Sequence, residues 1–199
     1  MLYLASKSPR RAQLLRQIGV SFDVVDVDVE EVPGATESPG DYVKRLAEAK
    51  AKAGAERLSM LQIGFDAPVI GADTIGVCEG RILEKPADED AAVAMLQHLS
   101  GRIHQVLSAV SLCRRREQST RLSVTSVKFR PLSESECRVY WRTGEPRDKA
   151  GGYGIQGLGA VFVESINGSY SGVVGLPIEE TIALLRDFNI PWWTTTGWR

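Results

Sequence analysis

The chain has 199 residues, 43% of them hydrophobic and 25% charged, which suits a soluble globular protein with one substantial core. Lys plus Arg (24) nearly balance Asp plus Glu (25), and basic and aromatic residues do not interleave; this excludes a nucleic-acid-coating protein but not a pocket for one small anion. No apolar run approaches the ~20 residues that span a bilayer, and the odd, widely spaced Cys78, Cys113 and Cys137 read as reduced packing residues of a cytoplasmic protein.

Leu2–Ala5 reads as a short buried strand. Leu14, Leu15 and Ile18 follow at helical spacing, with Gly19 as a stop. Phe22–Val27 is β-rich, and residues 28–40 form an acidic loop with Pro and Gly. Ser38-Pro39-Gly40-Asp41 resembles a capping box opening a helix through about Leu58. Pro68–Ile70 is a strand leading into Gly71-Ala72-Asp73-Thr74, and Ile75–Cys78 pairs with Arg81–Leu83 across a Glu79-Gly80 turn. Asp88–Leu99 is helical, and His104–Cys113 and Leu122–Phe129 are strands around the polar stretch Arg114–Arg121. Ser133 and Glu136 cap a helix over Glu134–Trp141. After a Gly-rich loop come a strand at Val161–Ile166, a turn at Asn167-Gly168 and a final helix at Ile178–Phe188. βα units mixed with hairpins predict an α/β fold with a mixed, twisted sheet and flanking helices. The tail Trp192–Thr196 is either a docking strand or disordered.

Three segments carry chemistry. In Ser6-Lys7-Ser8-Pro9-Arg10-Arg11, Ser8 is placed as N-cap and Pro9 as the first helical residue, so Arg10 and Arg11 fall in the first turn. Cations there oppose the helix dipole at up to ~1 kcal/mol each, a cost that makes sense if an anion binds; a solvated helix start is the alternative. In Gly71-Ala72-Asp73-Thr74, an acid at the end of an apolar strand sits where open α/β sheets place catalytic groups, although a turn-capping carboxylate fits equally well. In Asp148–Gly157, glycines let backbone approach a ligand while Tyr153 and Gln156 could read a base; the spacing is neither a P-loop nor a dinucleotide fingerprint. Lys50 and Lys85 could extend a cationic pocket, or simply face solvent. The acidic run Asp26, Asp28, Glu30, Glu31 could hold a hard divalent cation or form a solvated loop. His98 and His104 lack metal-ligand spacing.

Taken in order, LYLASKSPRR, VDVEEV, YVKRLAEAKA, VIGADT, EKP, LSGRIHQV, DKAGGYGIQG, INGSY and VVGLP resemble the Maf family of nucleotide pyrophosphatases, from Leu2 to about Phe188. The resemblance implies a single Maf-like domain over 1–199, its tail from about 189 loosely attached. It also implies two lobes around a cleft, as in the inosine-triphosphate pyrophosphatases. The implied reaction is metal-assisted hydrolysis between the α and β phosphates of a nucleoside triphosphate. Asp73 matches the family's proton acceptor, and Arg11, Thr74 and Gln156 match three positions that separate its substrate branches. All three agree with the branch acting on dTTP and UTP; the branch acting on methylated guanosine triphosphate has Trp, Gln and Glu there.

The implied mechanism assigns Asp73, Glu31, Lys50 and Lys85 to catalysis and Ser6, Ser8, Arg10, Arg11, Thr74 and Gln156 to substrate. A Mg²⁺ or Mn²⁺ ion is expected as cofactor, with Glu31 and then Asp73 as candidate ligands. No membrane or nucleic-acid partner is expected, and the oligomeric state stays open, a homodimer included. The competing reading is a nucleotide-binding regulator of cell division whose turnover is incidental; Asp73 separates the two, because a sensor needs no base.

Overall fold

The structure, a computed structural model, describes residues 1–63 and 66–193. One seven-stranded sheet runs through it. Its elements in chain order are β1 (Leu2–Ala5), α1 (Pro9–Gln17), β2 (Phe22–Val24), α2 (Pro39–Met60), β3 (Val69–Cys78), β4 (Arg81–Leu83), α3 (Glu89–Leu99), β5 (Ile103–Arg114), β6 (Glu117–Phe129), α4 (Glu134–Arg142), β7 (Val163–Asn167), α5 (Tyr170–Val174) and α6 (Ile178–Asp187). β2, β1 and β3 are parallel, whereas β3, β5, β6 and β7 are antiparallel. The sheet is therefore mixed, with helices on both faces, as the sequence predicts.

Local chemistry explains the boundaries. Ser38 Oγ accepts the Asp41 N–H at 3.1 Å and Asp88 Oδ1 accepts that of Ala91 at 2.8 Å, satisfying donors that open α2 and α3. Ser133 and Glu136 close a reciprocal capping box at the start of α4. Glu79 and Gly80 both adopt positive φ (50° and 78°), the geometry a two-residue hairpin between β3 and β4 requires.

The alternation of side chains along β3 divides the core. Val69, Ile75 and Val77 face α2, where they meet Ala51, Leu46 and Tyr42. Ile70, Ala72 and Cys78 belong to the larger cluster on the other face, with Leu14, Leu15, Leu176 and Leu184. α2 lies unusually close to the sheet. A Cβ on Gly71 would come 2.5 Å from both Ala47 O and Ala51 N, and one on Gly54 would come 2.7 Å from Val69 Cγ1.

The sheet also has a gap. β5 covers one edge of β3 from Val69 to Val77. On the other edge β1 pairs with Val69–Gly71 and β4 with Gly76–Cys78, so no strand among the described residues covers Ala72–Ile75.

Several boundaries differ from expectation. β3 is one continuous strand, so Asp73 and Thr74 sit in its middle rather than at or past a strand end; apolar residues on both sides and pairing to β5 carry the strand through them. The polar stretch Arg114–Arg121 is mostly strand, because β5 and β6 turn tightly at Arg115 (φ 58°). β2 ends at Val24 and β7 starts at Val163, while the short helix α5 has no strong signal in the sequence. In the tail, Trp192 packs on the main core, and Thr194–Thr196 lie outside the described residues.

Candidate active site

The gap beside Ala72–Ile75 opens into a cavity of about 960 Å³, near the upper end of the range for small-molecule sites, about 300–1,000 Å³. Ser6, Ser8, Arg10 and Arg11 of the first loop and α1, Glu31, Lys50 of α2, Asp73 and Thr74 of β3, Lys85, and Gln156 of the Gly-rich loop all line it. These residues come from segments spread between positions 6 and 156, and the fold gathers them at one break in the sheet.

On the α2 face, Lys50 Nζ lies 2.7 Å from Asp73 Oδ1 and 2.6 Å from Glu31 Oε1. Asp73 is only 6% exposed. Burial pushes its carboxyl above the ordinary aspartate range, against the charges of Lys50 and Arg11. Glu31 is more open. Burial raises it, but the Lys50 hydrogen bond and the charges of Lys50, Lys85 and Arg11 outweigh that and hold it low. The two carboxylates therefore differ: one is reluctant to ionise and one ionises readily. Gly71 makes this geometry possible. It shares a face with Asp73, and its missing side chain lets the backbone of α2 close in until Lys50 reaches the strand.

The opposite face carries a second network. Arg11 Nε donates to Gly175 O at 2.9 Å, Nη1 to Ser6 Oγ at 3.1 Å and Nη2 to Thr74 Oγ1 at 3.5 Å. Ser6 Oγ also accepts the Ser8 N–H at 3.2 Å. Thr74 Oγ1 lies 2.8 Å from Ser108 Oγ, its register partner on β5. At the start of α1, Ser8 has the backbone of an N-cap but makes no side-chain cap bond, and no acidic residue occupies the first turn. A helix start of this kind, with Arg10 beside it on the cavity wall, has the chemistry to receive an anion.

The Gly-rich loop forms the far wall. Glu145 anchors it: its carboxylate accepts Tyr140 OH at 2.7 Å, Leu158 N–H at 2.8 Å and Gly159 N–H at 3.0 Å. Gly154 and Gly157 are needed here, since a Cβ on either would collide with Lys149 or the Glu145 carboxylate. Tyr153 OH meets His104 Nε2 at 2.8 Å, and burial depresses His104 to about 4, so the imidazole is neutral at physiological pH. Gln156 is exposed at the mouth.

The profile of the family described as Maf-like protein matches residues 1–188. The chain belongs to the Maf family. A dTTP/UTP pyrophosphatase of Saccharophagus degradans is 57% identical over 192 residues, covering 96% of this chain and 90% of its own. Proteins of the same name from Alcanivorax borkumensis and Escherichia coli O157:H7 are 52% and 51% identical, covering 97% and 94% of this chain and 98% and 93% of their own.

Within this Maf chain the acidic run of the first long loop does not converge. Asp26 pairs with Lys7 at 2.9 Å, Asp28 and Glu31 line the cavity, and Glu30 does not. Among the described residues no group of three or more His, Cys, Asp or Glu has metal-binding geometry. Alternation along an irregular loop sends successive carboxylates in different directions, so a run in sequence need not be a cluster in space. Sequence reasoning also missed Ser108 and Glu145, and gave Lys149 no role of its own within the Gly-rich segment. Ser108 did leave a trace, as a serine inside the apolar run of β5; Glu145 left none. His98 is a surface residue beside Arg102 and Glu79, and all three cysteines are buried free thiols.

Proposed function

We propose that this chain hydrolyses dTTP and UTP to the nucleoside monophosphate and pyrophosphate, with Asp73 as general base. The observation that carries the reading is a buried, reluctantly ionised aspartate held by Lys50 at a cavity whose opposite side is a cationic helix start. The names of relatives more than half identical to it over nearly the whole chain support the substrate class.

A triphosphate brings about four negative charges, and such chemistry depends on positioning and on stabilising charge at the phosphoryl and leaving oxygens. Arg10, Ser8 and the first turn of α1 suit one end of the phosphate chain, and Lys50 and Lys85 the other. Arg11 plays a different part. Three protein groups already hold its guanidinium, so it shapes the pocket more than it grips phosphate. Asp73 takes a proton from the attacking water. Its raised pKa makes it a stronger base than a solvated aspartate, and Lys50 keeps enough of it ionised to act.

A hard divalent cation would draw on Glu31 and Asp73, whose carboxylates both already hold the Lys50 ammonium, with water and substrate phosphates completing its shell, since Mg²⁺ commonly takes only one or two carboxylates. When bound, the ion would acidify water and neutralise the leaving pyrophosphate. Three buried free thiols agree with a reducing compartment, and we place the protein in the cytoplasm. No helix among the described residues is long and apolar enough to cross a membrane.

The test is hydrolysis of UTP and dTTP in ¹⁸O-water with Mg²⁺ or Mn²⁺, with an EDTA control. Label in the monophosphate and loss of turnover in EDTA are expected. Label in pyrophosphate, or release of orthophosphate, would show attack at a different phosphorus.

A further inference from the structure

Thr74 and Ser108 are register partners on β3 and β5, and their hydroxyls meet at 2.8 Å. Ser108 is fully buried and does not line the cavity, whereas its partner Thr74 does. Each hydroxyl has one proton to give. Ser108 Oγ lies 2.6 Å from the carbonyl of Gly172, which can only accept, so the Ser108 proton must point there; two oxygens at that distance with no hydrogen between them would repel. Ser108 then has only lone pairs left for Thr74, and Thr74 must donate. The other acceptor near Thr74, the Gly175 carbonyl at 3.4 Å, already receives Arg11 Nε at 2.9 Å. The Thr74 proton therefore goes to Ser108 at the shorter distance, and Arg11 donates to Thr74 from the other side.

We propose that Ser108 is a positioning residue that fixes the direction of the Thr74 proton, leaving Thr74 Oγ1 an acceptor-only group at the cavity wall. The complementary feature is a ring N–H. Uracil and thymine carry one at N3 on their pairing edge; cytosine has a lone pair at that atom, which would face the Thr74 lone pairs. The enzyme therefore rejects cytosine through a serine that never touches the nucleotide. This rests on the pyrimidine reading above and adds a cause for the preference within pyrimidines.

The experiment compares kcat/KM for UTP, CTP, dTTP and dCTP in wild type, Ser108→Ala and Ser108→Thr. Wild type should favour UTP over CTP. Ser108→Ala frees the Thr74 hydroxyl to turn and donate, so CTP hydrolysis should rise and the UTP-to-CTP ratio should fall by about tenfold or more. Ser108→Thr keeps the hydroxyl and should restore the ratio. A gain on CTP is the decisive readout, since damaged packing would lower both substrates. Wild type acting on 3-methyl-UTP provides a check that needs no variant, and turnover there should be poor. Equal losses on all four nucleotides in Ser108→Ala, a wild type indifferent to UTP and CTP, or full activity on 3-methyl-UTP would each overturn the Ser108 inference while leaving the substrate class intact. A wild type inactive on every pyrimidine triphosphate would sink the substrate reading itself.

Discussion

Asp73 and Thr74 are consecutive in β3 and hydrogen-bond on opposite faces of the sheet: Asp73 to Lys50 of α2, Thr74 to Ser108 and Arg11 on the side of α1 and α5. Both still reach one cavity, because the uncovered edge of β3 lies between β1 and β4 just where they sit. The alternation of a strand thus separates the buried carboxylate from the cavity-lining hydroxyl, one residue apart, and each has its own supporting network.

Asp73→Asn keeps the shape and removes the base. Turnover should fall ~10²-fold or more, the scale of lost general-base catalysis, while nucleotide binding persists. Stability should move the other way. A buried acid whose pKa is raised on folding favours the fold when protonated, and that contribution is lost as pH rises from the ordinary aspartate value through the raised one. At neutral pH the ionised Asp73 is therefore a burden, and the neutral amide should raise the melting temperature. Near-normal turnover in the variant would remove Asp73 from the mechanism.

The acid limb of kcat/KM should report the same group. Asp73 acts only when ionised, so activity falls as pH drops, and its raised pKa puts that fall above the range of a free aspartate. Lys50 opposes the rise. Lys50→Met should therefore carry the acid limb to higher pH as well as lowering activity; an unmoved limb would mean another group titrates.

Gly71→Ala tests the close seat of α2. The new Cβ would meet backbone atoms of Ala47 and Ala51, which cannot rotate aside, so the helix must shift. Overpacking of this kind costs about 1–3 kcal/mol or more. Lys50 should draw away from Asp73, with the melting temperature and kcat falling together. Preserved activity would show that the Lys50–Asp73 contact tolerates displacement.

Thr74→Gln with Gln156→Glu should depress dTTP and UTP hydrolysis selectively and shift residual activity toward guanine-containing or methylated triphosphates. The motive is that the cavity brings these two positions and Arg11 together, and a mismatched base leaves buried polar groups unpaired at ~1–3 kcal/mol each. kcat/KM for dTTP, UTP, CTP, GTP and 7-methyl-GTP decides it. Uniform losses, with metal dependence unchanged, would make these residues general binders.

The elements and much of the cavity wall were legible in the sequence because their signals are local. Capping residues start α2, α3 and α4, a Glu-Gly turn closes the β3–β4 hairpin, and Pro9 sets α1 so that its first turn carries two arginines. Side-chain periodicity along β3 was there to be read too, but its length was not. A polar pair inside a strand reads as a strand end until its partners are known, and those partners, Lys50 and Ser108, come from residues 23 and 34 positions away.

What only the tertiary structure decided are the relationships that depend on distance in space. The sequence names Gly71 but not the helix pressed against it, and Glu31 but not which carboxylate of the acidic run turns inward. It contains Ser108 without the 2.6 Å contact to Gly172 that sets the direction of a proton. Composition and spacing determine which groups the chain can offer. Charge preference, pKa and proton direction are set within a few ångströms, and only packing chooses which groups come that close.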